Sequence, residues 1–293
     1  MTNYICRTAA TAISSISHNG GQSFGIDNKL RREKFVQPDG GVEEVPVISG
    51  NAIRGIIRDV GMLHMCRTLG TSLPLPAFHF LFSGGSLTSD PTRSIGINEA
   101  LRLRRLIPLA SVFGGAVGNT ILPGKLDIGK LIPVCAETKH LLPEHFASMQ
   151  CASISVHEYL QDEMYTRKED SGDQHKNASL AQPSVAADET AQMMYYVETF
   201  AAGTTFYWQI VLRDPSDMEF SAFATALREW LKRPVVGGKG NIGMGHLSAS
   251  LDRWLGAGFG SDQVLELALP SGALYEEHIR EHADEIRSLL SQM

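Results

Sequence analysis

The spacing of apolar positions changes several times along the chain, and each change predicts a different element. Residues 3–14 are small and β-branched and predict a strand, which is followed by a loop signal at Ser17-His18-Asn19-Gly20-Gly21. A helix is expected from an N-cap at Ser49-Gly50-Asn51 to Thr68, and Gly70 is expected to end it. One face of that helix carries Ile53, Ile56, Ile57, Val60 and Leu63, and another carries Arg54 and Arg58. The sequence therefore predicts a buried apolar face and a cationic face on one helix.

Later segments predict further strands and helices. Short helices and loops are expected between residues 74 and 115, and one strand over 125–135. Residues 161–191 are polar and predict a protruding, mobile segment. Aromatic and β-branched residues on both sides of Ala202-Gly203 predict a β-hairpin. Ser216 and Glu219 form a predicted capping box for a helix that Pro234 stops, and a strand over 245–251 and a helix over 274–291 follow.

This order of elements predicts an α+β fold of the ferredoxin-like or RNA-recognition type, β-α-β-β-α-β, with large insertions. We expect one palm domain over residues 1–251, with a helical, finger-like insertion at 70–123 and a thumb-like insertion at 155–195. Residues 252–293 are expected to form an acidic C-terminal helical tail.

Composition and charge exclude several classes of protein. The 293 residues are 43% hydrophobic and 20% charged, which excludes a fully disordered or fibrous chain. No apolar window is long enough for a membrane span and no leader is recognisable, so we expect a cytoplasmic protein without a membrane partner. Four separated cysteines predict free thiols, and neither a cofactor nor a metal is expected. The net charge of -6 falls mostly in residues 252–293, which leaves an anion-binding face possible elsewhere.

The loop over residues 237–245 contains five glycines around Lys239. Such a loop can present successive backbone N–H groups to a phosphate. It matches a dinucleotide fingerprint, but a predicted strand follows it where that fingerprint opens a helix, so a nucleotide-dependent oxidoreductase is disfavoured. A plain tight turn remains the alternative.

The predicted helix after residue 48 begins with a second group of donors. Ser49, Asn51, Arg54 and Arg58 lie in its first turns, where the helix dipole attracts anions. A solvated basic face is the alternative explanation.

Together the two segments resemble signatures of the RAMP superfamily of CRISPR proteins. Residues 45–55 resemble its segment P-x-I-P-G-S-S-[IL]-[KR]-G, with Ile48-Ser49-Gly50-Asn51 in place of Pro-Gly-Ser-Ser and Arg54 in place of a lysine. Residues 237–245 resemble its glycine-rich signature, and the segment around Tyr196 resembles its usual strand. Within the superfamily the chain is similar to the Cas-seven-type backbone subunit, most of all to the type IV version.

The resemblance implies a non-enzymatic subunit that polymerises with further copies of itself in a helical filament along CRISPR RNA. Its partners would be the RNA, a complementary target nucleic acid and other CRISPR complex subunits. Phosphate contacts without sequence preference would supply the affinity. The motifs, charge runs and resemblance nominate these RNA-binding residues: His18, Asn19, Arg31, Arg32, Lys34, Ser49, Asn51, Arg54, Arg58, Arg167, Lys168, Gly237, Gly238, Lys239 and Asn241.

A metal-dependent endoribonuclease is the rival interpretation. The loop Phe24-Gly-Ile-Asp27-Asn28 resembles one in which type III relatives carry a cleaving aspartate. A lone aspartate in a polar loop is usually a turn former, and no second acid is close in sequence. Asp27 would be the catalytic residue of this endoribonuclease, which is the less favoured of the two functions.

Overall fold

The computed structural model describes residues 2–24, 27–85, 95–167, 193–258 and 264–293. Over this part the chain has mostly antiparallel strands and eight helices. The predicted α+β class is therefore confirmed. The strands are β1 (Thr2–Ala12), β2 (Asn19–Phe24), β3 (Asp27–Leu30), β4 (Arg32–Val36), β5 (Val42–Pro46), β6 (Gly115–Val117), β7 (Thr120–Leu122), β8 (Leu126–Ile128), β9 (Ile132–Pro133), β10 (Leu160–Arg167), β11 (Met193–Phe200), β12 (Thr205–Arg213), β13 (Leu247–Ala249), β14 (Arg253–Gly258) and β15 (Val264–Ala268). The helices are α1 (Gly50–Leu69), α2 (Leu75–Ser83), α3 (Ile97–Leu106), α4 (Pro108–Phe113), α5 (Glu144–Ala147), α6 (Asp217–Leu231), α7 (Ala273–Glu281) and α8 (Ala283–Ser291).

The main sheet has the order β15-β14-β1-β12-β8, with β13 also paired to β1 and β9 to β12. β1 and β12 are antiparallel over nine residue pairs. Alternate residues of β12 are buried, and α6 packs on that face, where Trp208 meets Trp230 with ring centroids 5.7 Å apart. The single strand predicted over 125–135 is wrong, because the chain forms the two short strands β8 and β9, which pair with different parts of β12.

Helix α1 begins and ends where the sequence predicts. Ser49 is extended, and Gly70 is left-handed and donates to the Cys66 and Arg67 carbonyls. The predicted apolar face is partly wrong, since Leu63 is 39% exposed. Gly61 is buried instead, against Ala226 of α6, and this close approach turns the buried stripe toward Met62 and Met65.

The predicted hairpin around Ala202-Gly203 is wrong. β11 pairs with β10 and β3 in a second sheet of order β10-β11-β3-β2, whereas β12 belongs to the main sheet. The continuation of β1 takes the hydrogen bonds that a hairpin would use, because Phe200 and Ile16 exchange N–H···O bonds of 2.9 and 3.0 Å, and Gly203 donates to the Ala12 carbonyl. The chain therefore turns a corner between two sheets.

The polar segment predicted to protrude from residue 161 onward begins instead as β10, which pairs in register with β11. Residues 168–192, which hold most of the predicted thumb-like insertion, lie outside the described residues. The short helices predicted between residues 74 and 115 are present as α2, α3 and α4.

The C-terminal segment is more than the single predicted helix. β14 pairs with β1, β15 with β14, and two helices meet at His282. Trp254, Tyr275, Ile279 and Ile286 are buried in the same core as the residues of β1 and α6. The described residues 252–258 and 264–293 therefore pack onto the same core as β1 and α6 rather than forming a separate tail. No helix in the described ranges is long and apolar enough to cross a membrane.

Candidate nucleic-acid interface

The end of β1 joins the glycine loop to the rest of the fold. The Gly238 N–H donates to the Ser17 carbonyl at 2.7 Å, and the Gly245 N–H donates to the Ser15 carbonyl at 2.8 Å. The loop is thus held at both ends by the short segment between β1 and β2. Strand β13 follows the loop, which confirms the strand predicted there. A dinucleotide-binding fingerprint would open a helix at this point.

Glycine is required at two loop positions by the backbone. Gly237 has φ +74° and lies against the Ser17 carbonyl, and Gly245 has φ +83° and lies against the Val236 carbonyl. A Cβ at either position would collide with these oxygens, so the tight turn accounts for both glycines. Gly238 and Asn241 are exposed, which leaves the middle of the loop open to a ligand.

Lys239 contacts two aromatic rings that the sequence analysis missed. Its Nζ lies 4.7 Å from the ring centroid of Tyr195 and 5.5 Å from that of Tyr165. The two tyrosines are cross-strand partners of β11 and β10, and their rings stack with centroids 5.6 Å apart. Only the register of these strands brings them together, so no local signal could have found them.

His18 links the end of β1 to the start of α1. Its Nε2 accepts the Ser49 N–H at 3.1 Å, and the carbonyl of His18 accepts the N–H of Arg31 at 2.9 Å. Burial, and then the charge of Arg31, lower the pKa of His18, which favours the neutral ring that this acceptor role needs. Asn19 donates to the Asn28 side chain at 3.2 Å. The structure therefore brings His18, Asn19, Arg31 and Ser49 together beside the glycine loop.

Arg54 and Arg58 are directed toward the C-terminal end of α4 rather than wholly toward solvent. Both donate to the Phe113 carbonyl, and Arg58 also donates to the Gly114 carbonyl at 2.7 Å. Burial, together with the neighbouring Arg54, lowers the pKa of Arg58 to about 10. Arg54 also lines a cavity of about 500 Å³ with the exposed Asn51 and with Arg213, and Arg58 does not line it. Both arginines of the predicted cationic face are therefore half-buried, and of the two Arg54 borders the cavity.

The cationic residues that follow residue 28 also differ in whether a carboxylate already binds them. Arg32 donates to both carboxylate oxygens of Glu198, at 2.8 and 2.6 Å. Burial raises the pKa of Glu198, but hydrogen bonds from Arg32 and from the Leu30 N–H outweigh it and hold that pKa below its usual range. Lys29, Arg31 and Lys34 remain exposed around a groove of about 750 Å³, whose wall also includes Glu33, Glu44 and Glu198.

Three predicted positions cannot be assigned to this site. Lys168 lies outside the described residues, as do the side chains of Arg167 and Asp27. The backbone of Asp27 belongs to β3 and pairs with Tyr196.

Comparison with known proteins gives one informative similarity. No protein-family model matches the sequence, and no curated protein matches it. A solved structure described as "Type IV-B CRISPR Complex" contains a chain that matches with a TM-score of 0.59 and 22% identity, over 90% of this chain and 94% of that one. The fold is that of a type IV-B CRISPR complex chain. Csc2 of Thermofilum pendens matches with a TM-score of 0.44 and 14% identity, over 98% of this chain and 77% of its own.

The similarity agrees with the resemblance seen in the sequence. The resemblance to a type IV CRISPR protein is confirmed at the level of the fold, since the match extends over 90% of this chain and 94% of the other. In this chain the glycine loop and the start of α1 meet at the segment that follows β1, where Ser17 and His18 contact them.

Proposed function

We propose that this chain is a CRISPR-associated backbone subunit that oligomerises along CRISPR RNA and presents the guide to a complementary target nucleic acid. One observation carries the proposal: the glycine loop and the start of α1 converge on Ser17 and His18 at the end of β1. The fold shared with a chain of a type IV-B CRISPR complex supports it. Further copies of the chain and other complex subunits are the protein partners that this function requires.

The palm of this subunit is the part of the main sheet with the order β13-β1-β12-β8, together with α1 and α6. In chain order these elements are β1, α1, β8, β12, α6 and β13, which is the β-α-β-β-α-β order of a ferredoxin-like domain. The connection from β1 to α1 and the connection from α6 to β13 both pass the same end of β1. A ligand at that end meets both motifs at once.

The groups at this end of β1 suit phosphates better than bases. The N-terminal end of α1 and the cations of Lys239 and Arg31 favour anions. Contacts to phosphates position a nucleic acid but read no sequence. Such a site is what a subunit needs when each copy holds different nucleotides.

The proposed subunit is not an enzyme. Two carboxylates near β3 already have cationic partners, because Asp162 lies 3.7 Å from Lys29 and Glu198 binds Arg32. We expect the assembled complex to leave complementary RNA intact in Mg²⁺. Regularly spaced products that disappear in Asp27→Ala would make it a slicing subunit instead.

Filter binding to unstructured RNAs of different sequence tests the proposal. Lys239→Met should weaken binding to every sequence and should reduce the slope of log K against log salt by about 0.7, the value for one phosphate contact on a single strand. Lys139→Met is the matched control, since this exposed lysine lies far along the chain from both motifs and should leave binding unchanged. A loss confined to one RNA sequence, or an equal loss in the control, would contradict the proposed site. Assembly should add protein mass in steps as the RNA is lengthened.

A further inference from the structure

We propose that Tyr165 and Tyr195 are positioning residues that hold Lys239 away from the phosphate path until RNA binds. This inference rests on the proposed function, because it concerns the regulation of the same site. The Tyr latch, as we name the contact of Lys239 with these two rings, joins the glycine loop to β10 and β11. RNA phosphate and the two tyrosines then compete for one ammonium group.

The geometry of Lys239 indicates that the latch is specific. The ammonium lies within 6 Å of both ring centroids, at 4.7 and 5.5 Å, which is the range of a cation–π contact. Lys239 has φ +61°, and Asp214 is the other non-glycine residue with a positive φ in the described ranges. A left-handed conformation is unfavourable for a lysine, so its surroundings must hold it there. In this conformation the Lys239 carbonyl accepts the Ile242 N–H at 3.1 Å, and the side chain contacts both tyrosine rings.

The tyrosines are themselves held in place. Tyr165 and Tyr195 stack across the β10–β11 pair, and the Tyr165 hydroxyl donates to Glu163 at 2.6 Å. Burial, and then the hydrogen bond to Glu163, raise the pKa of Tyr165 to about 12, so the ring stays neutral and its face stays available to a cation. β11 also pairs with β3, which precedes Arg31. The latch is therefore anchored on strands that border the proposed RNA site.

A latched Lys239 lowers the apparent affinity for RNA. If only a fraction of molecules has the ammonium free, the apparent dissociation constant is raised by the inverse of that fraction. Removing one ring of the latch should therefore tighten RNA binding by about fivefold, the effect expected for a cation–π contact of ordinary strength. The bound state keeps the same phosphate contact, so the salt slope should not change. A purely supporting role for the tyrosines predicts the opposite sign, because loss of support weakens binding.

The test uses the full-length protein and poly(U) as the RNA. Tyr195→Leu should tighten binding, while Tyr195→Phe, which keeps the ring face, should behave as the wild type. In a Lys239→Met background Tyr195→Leu should have no effect, because the latch has no cation. Weaker or unchanged binding by Tyr195→Leu in the wild-type background, or an equal change in the Lys239→Met background, would overturn the latch. Tyr165→Leu is the second variant if Tyr195→Leu does not fold.

A direct readout follows Lys239 itself. Two rings near the ammonium should shift the Lys239 Hε proton resonances upfield in the free protein, and poly(U) should return them toward ordinary values. A shift that persists with RNA bound would refute the exchange. Absence of wild-type binding to poly(U) would refute both the proposed function and the latch. Wild-type binding combined with a wrong sign for Tyr195→Leu would refute the latch alone.

Discussion

The buried ion pair between Glu198 and Arg32 allows a quantitative prediction. Replacing Glu198 by glutamine keeps the shape of the side chain but removes its charge. Glu198 has a side chain 10% exposed and accepts from Leu30 and twice from Arg32, whose side chain is 27% exposed. Hydrogen bonds to charged groups contribute about 1.5–3 kcal/mol each, and solvent around Arg32 reduces that contribution. We expect Glu198→Gln to lower the free energy of unfolding by about 2 kcal/mol.

Thermal unfolding followed by circular dichroism measures this loss. A loss of about 2 kcal/mol corresponds to a Tm about 3 °C lower in a chain of 293 residues. Glu266→Gln is the matched control, since Glu266 pairs with Arg253 but their side chains are 59% and 74% exposed, and its Tm should change little. The pKa of Glu198 is below its usual value in the folded state, so its stabilisation is present above the unfolded pKa and is lost as the pH falls through the folded one. The difference in Tm between wild type and Glu198→Gln should therefore shrink on acidification. Equal Tm values for wild type and Glu198→Gln at neutral pH would refute the reasoning. A Tm difference between them that does not change with pH would also refute it.

Three further predictions concern Arg58, Gly237 and the two buried cysteines Cys6 and Cys135. Arg58→Met should lower the free energy of unfolding by about 2 kcal/mol, because the carbonyls of Phe113 and Gly114 lose a charged donor, and chemical denaturation measures it. Gly237→Ala should also destabilise, by at least about 1 kcal/mol, because φ is +74° and a Cβ meets the Ser17 carbonyl; an unchanged Tm would contradict this. Cys6 and Cys135 should resist alkylation at neutral pH in the folded protein, because burial raises the pKa of each thiol to about 12, and mass spectrometry before and after unfolding checks it.

Local signals in the sequence determined the helices that frame the candidate site. Ser49 and Gly70 delimit α1, and the capping box of Ser216 and Glu219 opens α6 with both of its hydrogen bonds formed. These signals act between residues within one or two turns, so the chain carries them regardless of what packs nearby. The glycines of the loop were recognisable for the same reason.

Tertiary structure decided which charges remain available. Arg32 and Lys239 were both predicted to meet RNA, yet Arg32 binds Glu198 across 166 residues and Lys239 lies over Tyr165 and Tyr195. Arg58 likewise caps carbonyls that lie 55 and 56 residues away. A helical wheel or a charge run shows which face a residue occupies but not what covers that face.

Strand pairing was the other property beyond the reach of the sequence. β11 and β12 carry the aromatic pattern of a hairpin, but the segment after β1 bonds to the end of β11 at Ile16 and Phe200, and β11 pairs with β10 and β3 in a second sheet. Alternation of apolar residues specifies that a segment is extended and half-buried, and many partners satisfy that requirement equally well. The choice among partners depends on the whole core, so the sequence determined the helices and the loop, and the packed fold determined which strands and side chains meet at the end of β1.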